Sequence, residues 1–285
     1  MSESRPFFWS VRRELWENRS LYMAPIIVAV FGFIAFMFST IGMPARRRAT
    51  LLLEPAKQRA AIEAPYDALA MVLIATSFII AVFYCLDALY SERRDRSILF
   101  WKSLPVSDVT TVLAKASIPL AVLPALTFVL AVVTQFIMLL WSTLVLLPSG
   151  QAGTTWTRFH FLDQFVFMLY GLIVLALWHA PIYGWLLLLS AWARRAVFLW
   201  AFLPIFVLSL FEQMAFHTKY ITLFLRDRVI GIEKAFGFGP SRNLSSLSQL
   251  TPGTFLASPG LWLGLIFAAA CLVAAVRLRR LREPI

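Results

Sequence analysis

From Ser20 to Ala45 the chain carries no charged side chain, and five more runs of similar character follow it. No other feature restricts the fold as much. Backbone polar groups facing hydrocarbon must be satisfied within their own segment, so an apolar run of about 20 residues crosses a bilayer as a helix. The second run extends from about Ala68 to Tyr90, with Asp87 inside it, and the third from about Ala116 to Leu147, with Pro119 and Pro124 near its start. Pro148, Ser149, Gly150 and Gly153 then supply a turn. The fourth runs from about Phe165 to Ala191, and Arg194 and Arg195 make a short hinge. The fifth occupies Ala196 to about Phe211, and the sixth Pro259 to Val276, closed by Arg277, Arg279, Arg280 and Arg282. The expected fold is all-α: a polytopic membrane protein with six transmembrane helices, one domain spanning residues 1–285.

Composition agrees. Hydrophobic residues make up 60% of the chain and charged residues 14%, with mean hydropathy +0.77. A soluble domain carries about 25% charged residues. An ordinary cytosolic enzyme and a disordered chain are both excluded, and no stretch is left for a large soluble catalytic domain. The net charge of +11 sits in short clusters between apolar runs. That placement suits an anionic membrane surface rather than nucleic acid. Cys85 and Cys271 fall within apolar runs, which argues against a structural disulfide or a metal site. A charged segment precedes a first run too long for a signal-peptide core, so no cleavable leader is expected. Placing both termini in the cytoplasm puts most of the 26 Lys and Arg inside, while Arg46, Arg47, Arg48, Lys57 and Arg59 pull the other way.

Two segments that do not span carry further information. In residues 5–18, Phe7, Phe8, Val11, Leu15 and Trp16 recur at helical spacing, with Arg12, Arg13, Glu14 and Glu17 on the other face. This reads as an amphipathic helix lying in the interface, whether as a working part or as a plain anchor. Residues 217–258 are too polar to span and too apolar for a free loop. Short helices re-entering the bilayer from outside satisfy both facts.

Residues 92–107 lie between the second and third runs. Glu92, Arg93, Arg94, Asp95 and Arg96 alternate in sign ahead of Ile98, Leu99, Phe100, Trp101 and Lys102, then Pro105 breaks the helix and Ser107 caps the next one. Charge for register beside an aromatic anchor is what a protein docking site requires. A solvated loop with its aromatics at the lipid headgroups has the same composition.

The stretch from Glu92 to Asp108 resembles the loop between the second and third spans of the type-2 ABC exporter permeases. The N-terminal helix, the six-span layout and the segment before the last span are similar to that family too. So is the stretch from Trp178 through Arg195. The resemblance implies a bacterial cytoplasmic (inner) membrane protein with both termini inside, paired with a second permease copy and two ABC ATPase subunits. It makes the loop a cytoplasmic coupling helix and Glu92, Arg93, Arg94, Asp95, Arg96, Phe100, Trp101 and Lys102 the ATPase contact, with Arg194 and Arg195 adding a lesser one. It also implies transport rather than catalysis by this chain, with no cofactor of its own; ATP and Mg would sit on the partner ATPase. No G-x-x-x-x-G-K-[ST] phosphate loop occurs in the sequence. The competing expectation is a membrane anchor or assembly protein that holds a cytoplasmic partner and moves nothing.

Three polar residues inside the runs are candidates for a path or for structure. Gln135 can line a path or bond neighbouring helices. His179, next to Pro181, is an intramembrane ionisable group, or a neutral imidazole bonded to a neighbour. Asp87 suits an ion pair or a helix end. No Ser/His/Asp or paired-carboxylate arrangement can be proposed across these runs.

Overall fold

The computed structural model describes residues 4–97, 106–159, 161–229 and 252–281. Those residues are helical nearly throughout and contain no strand. The order is α1 Ser4–Glu17, α2 Ser20–Ser39, α3 Met43–Leu51, α4 Pro55–Asp87, α5 Tyr90–Arg94 and α6 Asp108–Ser117. A π-helical turn, Ile118–Val122, leads into α7 Leu123–Leu146, followed by α8 Gly153–Arg158 and α9 Phe161–Trp192. Then come α10 Val197–Phe216, α11 Tyr220–Val229, α12 Pro252–Leu256 and α13 Pro259–Leu281. Six helical stretches are long and apolar enough to cross a membrane: 20–39, 57–94, 108–149, 162–192, 197–216 and 259–281. They correspond one to one with the six apolar runs.

Several helices outrun their apolar runs. The second starts at Pro55, well before Ala68, because Pro suits a first-turn position and Arg59 pairs with Glu63 one turn on at 2.8 Å. Hydrophobicity decides where a helix can cross, but propagation needs only backbone bonds. The third stretch starts at Asp108, where Ser107 Oγ accepts the Thr110 N–H at 3.1 Å, as the cap expectation requires. Pro119 and Pro124 each remove a donor from the ladder, and the turn between them loosens so that Leu123 N reaches Ile118 O. The chain reverses after α9 through Ala196 at φ 50° and after α10 through His217 at φ 53°. Glu212, near the end of α10, fixes that second reversal. Its carboxylate accepts from Thr218 Oγ1 at 2.8 Å and from the Tyr220 and Ile221 N–H groups at 2.6 and 2.8 Å, serving the first turn of α11.

The apolar interior is divided along the spans. Leu21, Tyr84, Cys85, Ile118, Leu187 and Val197 form a cluster near α1, and Ala29, Phe36, Tyr66, Leu73, Met138 and Phe159 form one in the other half. Helices α9 and α13 approach each other closely. A Cβ on Gly184 would lie 3.0 Å from the Ala268 Cα, so only glycine lets the two helices run this near. By contrast α10 keeps only Val197, Ala201 and Glu212 buried, leaving most of its apolar surface exposed.

Candidate functional site

The richest concentration of chemistry is a buried ion network where α1, α5, α6 and α13 meet. Glu14 of α1 is 1% exposed. Lys115 Nζ, from α6, reaches its two oxygens at 2.9 and 3.0 Å, Arg13 Nη2 reaches Oε1 at 2.7 Å, and Tyr84 Oη donates to Oε2 at 2.8 Å. Glu92 of α5 receives Arg13 and Lys115, both at 3.2 Å, and Arg279 of α13. Arg279 also holds Asp108 Oδ1 through Nε at 2.9 Å. Glu17 joins at 3.6 Å from Arg13 and Arg280 at 3.9 Å from Asp108, so four acids (Glu14, Glu17, Glu92, Asp108) meet four bases (Arg13, Lys115, Arg279, Arg280) and the network closes without net charge.

Burial by itself would raise the Glu14 carboxyl, but the Lys115 ammonium and the Arg13 guanidinium overcome it and hold Glu14 below the usual carboxylate range. Glu17, one turn along, lacks such cover; burial raises it despite Arg13. For Arg13, burial opposes the charge but Glu14, Glu17 and Glu92 outweigh it, and its pKa rises.

This arrangement corrects the sequence reading of α1. The expected polar face contained Glu14; instead Glu14 points inward with Ser10, while Val11 and Leu15 pack against the first apolar cluster. Phe8 and Trp16, expected on the apolar face with them, are turned outward, and Phe7 stands at the edge of exposure. Arg12 lies on that outer side, its guanidinium 5.1 Å from the Trp9 ring centre and 4.5 Å from that of Trp16.

The loop after the second span is split in the same way. Glu92 and Arg93, grouped in sequence with the outward charges, are both buried. Glu92 belongs to the network, and Arg93 Nη2 donates to the Ala193 carbonyl at the α9–α10 reversal. One residue beyond, Arg94 and Asp95 are exposed and pair with each other at 2.9 Å, and Arg96 is exposed at φ 57°. The root of the loop is held again by Ser190 of α9, whose buried hydroxyl accepts the N–H groups of Leu89 and Tyr90, each at 2.9 Å. Phe100, Trp101 and Lys102 lie outside the described residues.

The remaining candidates are placed separately. Gln135 is fully buried, and its Nε2 donates to the Tyr66 carbonyl at 3.2 Å, joining the third span to the second. His179 is buried between the rings of Phe78 and Tyr183, at 4.7 and 6.3 Å. Asp87 is exposed at the end of α4, far from both. They do not converge. Among the described residues no three His, Cys, Asp or Glu side chains gather to hold a metal.

No family model, curated protein or solved structure matches the chain. Sequence reasoning missed Glu14, Tyr84, Ser190 and Arg279 as parts of one unit. The available signal was weak: an acid at the inward register of α1, and a base, Lys115, at the mouth of an apolar run where it needs a partner.

Proposed function

We propose that the chain is the transmembrane permease subunit of an ATP-binding cassette exporter, of the type-2 kind its loop resembles. Its setting is a bacterial cytoplasmic membrane, with both termini inside. One observation carries this reading: the loop after the second span is rigid at its root and outward-facing immediately beyond it. Glu92 binds the root to α1, α6 and α13, Arg93 to the α9–α10 reversal, and Ser190 to α9. Arg94, Asp95 and Arg96 face away from all of these.

A push on the exposed tip then moves several spans together, as a lever transmitting ATPase closure requires. The ATPase contact falls to Arg94, Asp95 and Arg96, continued by Phe100, Trp101 and Lys102, while Glu92 and Arg93 position them. α1 acts as the interfacial helix, seated through Phe8, Trp9 and Trp16 in the lipid boundary. A second permease copy and two ATPase subunits, which carry ATP and Mg, complete the machine.

The test is co-purification with the cognate ATPase, followed by hydrolysis assays in lipid. The wild type should retain the ATPase, and transport of cargo should depend on nucleotide. An ATPase that binds without any nucleotide-dependent movement would instead make the chain an anchor.

A further inference from the structure

Arg228, in the last turn of α11, is buried in the half of the molecule remote from α1. Its guanidinium lies 4.2 Å from the ring centre of Trp178, and Nη1 donates to the Gly260 carbonyl at 3.3 Å. The space it occupies exists because residue 264 is glycine: a Cβ there would fall on the guanidinium. Trp178 sits about 21 Å along α9 from Trp192 at 1.5 Å per residue.

The electrostatics of this corner are incomplete. A guanidinium has five donors, and one carbonyl and one ring face use few of them. Among the described residues no carboxylate lies within ion-pair distance of Arg228. The same corner holds the first turn of α13, which contains no acid and presents the positive end of the helix dipole. The indole N–H of Trp178 is buried there without an acceptor. A cation, a positive helix end and a free donor thus converge in a region of low dielectric, where an uncompensated charge is costly.

We propose that Arg228, Trp178 and the first turn of α13 form a binding site for the phosphate of an anionic phospholipid. The guanidinium fork matches phosphate oxygens in pairs, and the indole N–H supplies a third donor. Gly260, Trp262 and Leu263 around the site are exposed on the outer surface of α13, so the head enters from the bilayer while the acyl chains stay in lipid. The site does not depend on the chain being a permease, and its test needs no ATPase.

The experiment is native mass spectrometry of the purified full-length chain, titrated with phosphatidylglycerol and with an uncharged, phosphate-free galactosyl diacylglycerol of identical acyl chains. The wild type should prefer phosphatidylglycerol by about tenfold, the ratio expected when a buried charge pair forms with one lipid and not the other. Arg228→Gln should bring the preference close to unity, while Arg12→Gln on the outer face of α1 should leave it in place. Trp178→Phe keeps the stacked ring and removes the N–H; it should lower the preference about threefold, and it carries the test if Arg228→Gln fails to fold. Retention of the full preference in Arg228→Gln, or in Trp178→Phe where only that variant folds, overturns the proposal. Displacement of the lipid by millimolar inorganic phosphate would assign the site to free phosphate and overturn it as well.

Discussion

The two ends of this molecule treat buried charge in opposite ways. At the α1 end, Glu14, Glu92 and Asp108 are matched by Arg13, Lys115 and Arg279 within one network. In the other half, two buried arginines have no carboxylate within ion-pair distance among the described residues. Arg228 rests on a ring and a carbonyl, and Arg47 has only Thr155 Oγ1, at 3.3 Å, leaving its Nη1 without an acceptor. Removing one member of a closed network strands its partners, whereas removing a lone cation relieves a cost already present. The matched end is therefore suited to holding four elements in one arrangement. The unmatched half is suited to accepting an anion from outside the chain.

Substitutions that break the matched end should have the largest effects. Lys115→Met leaves Glu14 and Glu92 short of their shared cation, and should lower stability in detergent by about 3–5 kcal/mol. Chemical or thermal unfolding would read this, and combining it with Glu14→Gln should recover a substantial part. Next comes the seam between the fourth and sixth spans. Gly184→Leu places side-chain atoms against the Ala268 backbone, and overpacking of this kind costs about 1–3 kcal/mol. Acid should loosen the matched end through Glu14. Glu14 is held below its ordinary value, so the stability it contributes is complete above the usual carboxylate pKa of about 4.3 and drains away as pH falls through the lower folded value. An unfolding series from pH 6 to pH 3 should show that loss, and Glu14→Gln should lessen it, with Glu92, also held low against its burial by Lys115 and Arg279, supplying the remainder. Arg228→Gln sharpens the contrast from the other side: in lipid-free detergent its stability should stay within about 0.5 kcal/mol of wild type or rise. A loss comparable to that of Lys115→Met would mean the two ends are not different in kind. Arg94→Glu, exposed, should change stability least of all, by under about 0.5 kcal/mol.

The contrast also marks what the sequence could disclose. Six apolar runs, the Ser107 cap and the short turn after Arg194 and Arg195 are local signals, and they reappear with shifted ends. Helices extend past apolar runs wherever nothing stops them, as at Pro55 and at Leu281. Pairings were less legible. Glu14 and Lys115 are far apart in the chain, and helical spacing shows which residues share a face without showing what that face meets. Arg279 looked like one of four bases closing the last span at a lipid surface, yet it is buried against Glu92 and Asp108. Glu92 and Arg93 are neighbours of Arg94 in a charge run, and only packing decides which of them turn in. Arg228 left the faintest trace, since in sequence it is one base among several in a mixed segment.

We propose that the exposed tip after the second span docks an ATPase. Cross-linking tests it most directly. Cys85 and Cys271 are buried and free, so a surface cysteine introduced at Asp95→Cys would be the reactive thiol among the described residues. A matching variant, Ser149→Cys, places the thiol in the turn after the third span at the opposite end. With membranes of the source cell and a short bifunctional maleimide, Asp95→Cys should capture a P-loop ATPase and Ser149→Cys should not. Capture from both positions, or an ATPase present in the membranes and captured from neither, would show that the tip is not the ATPase dock.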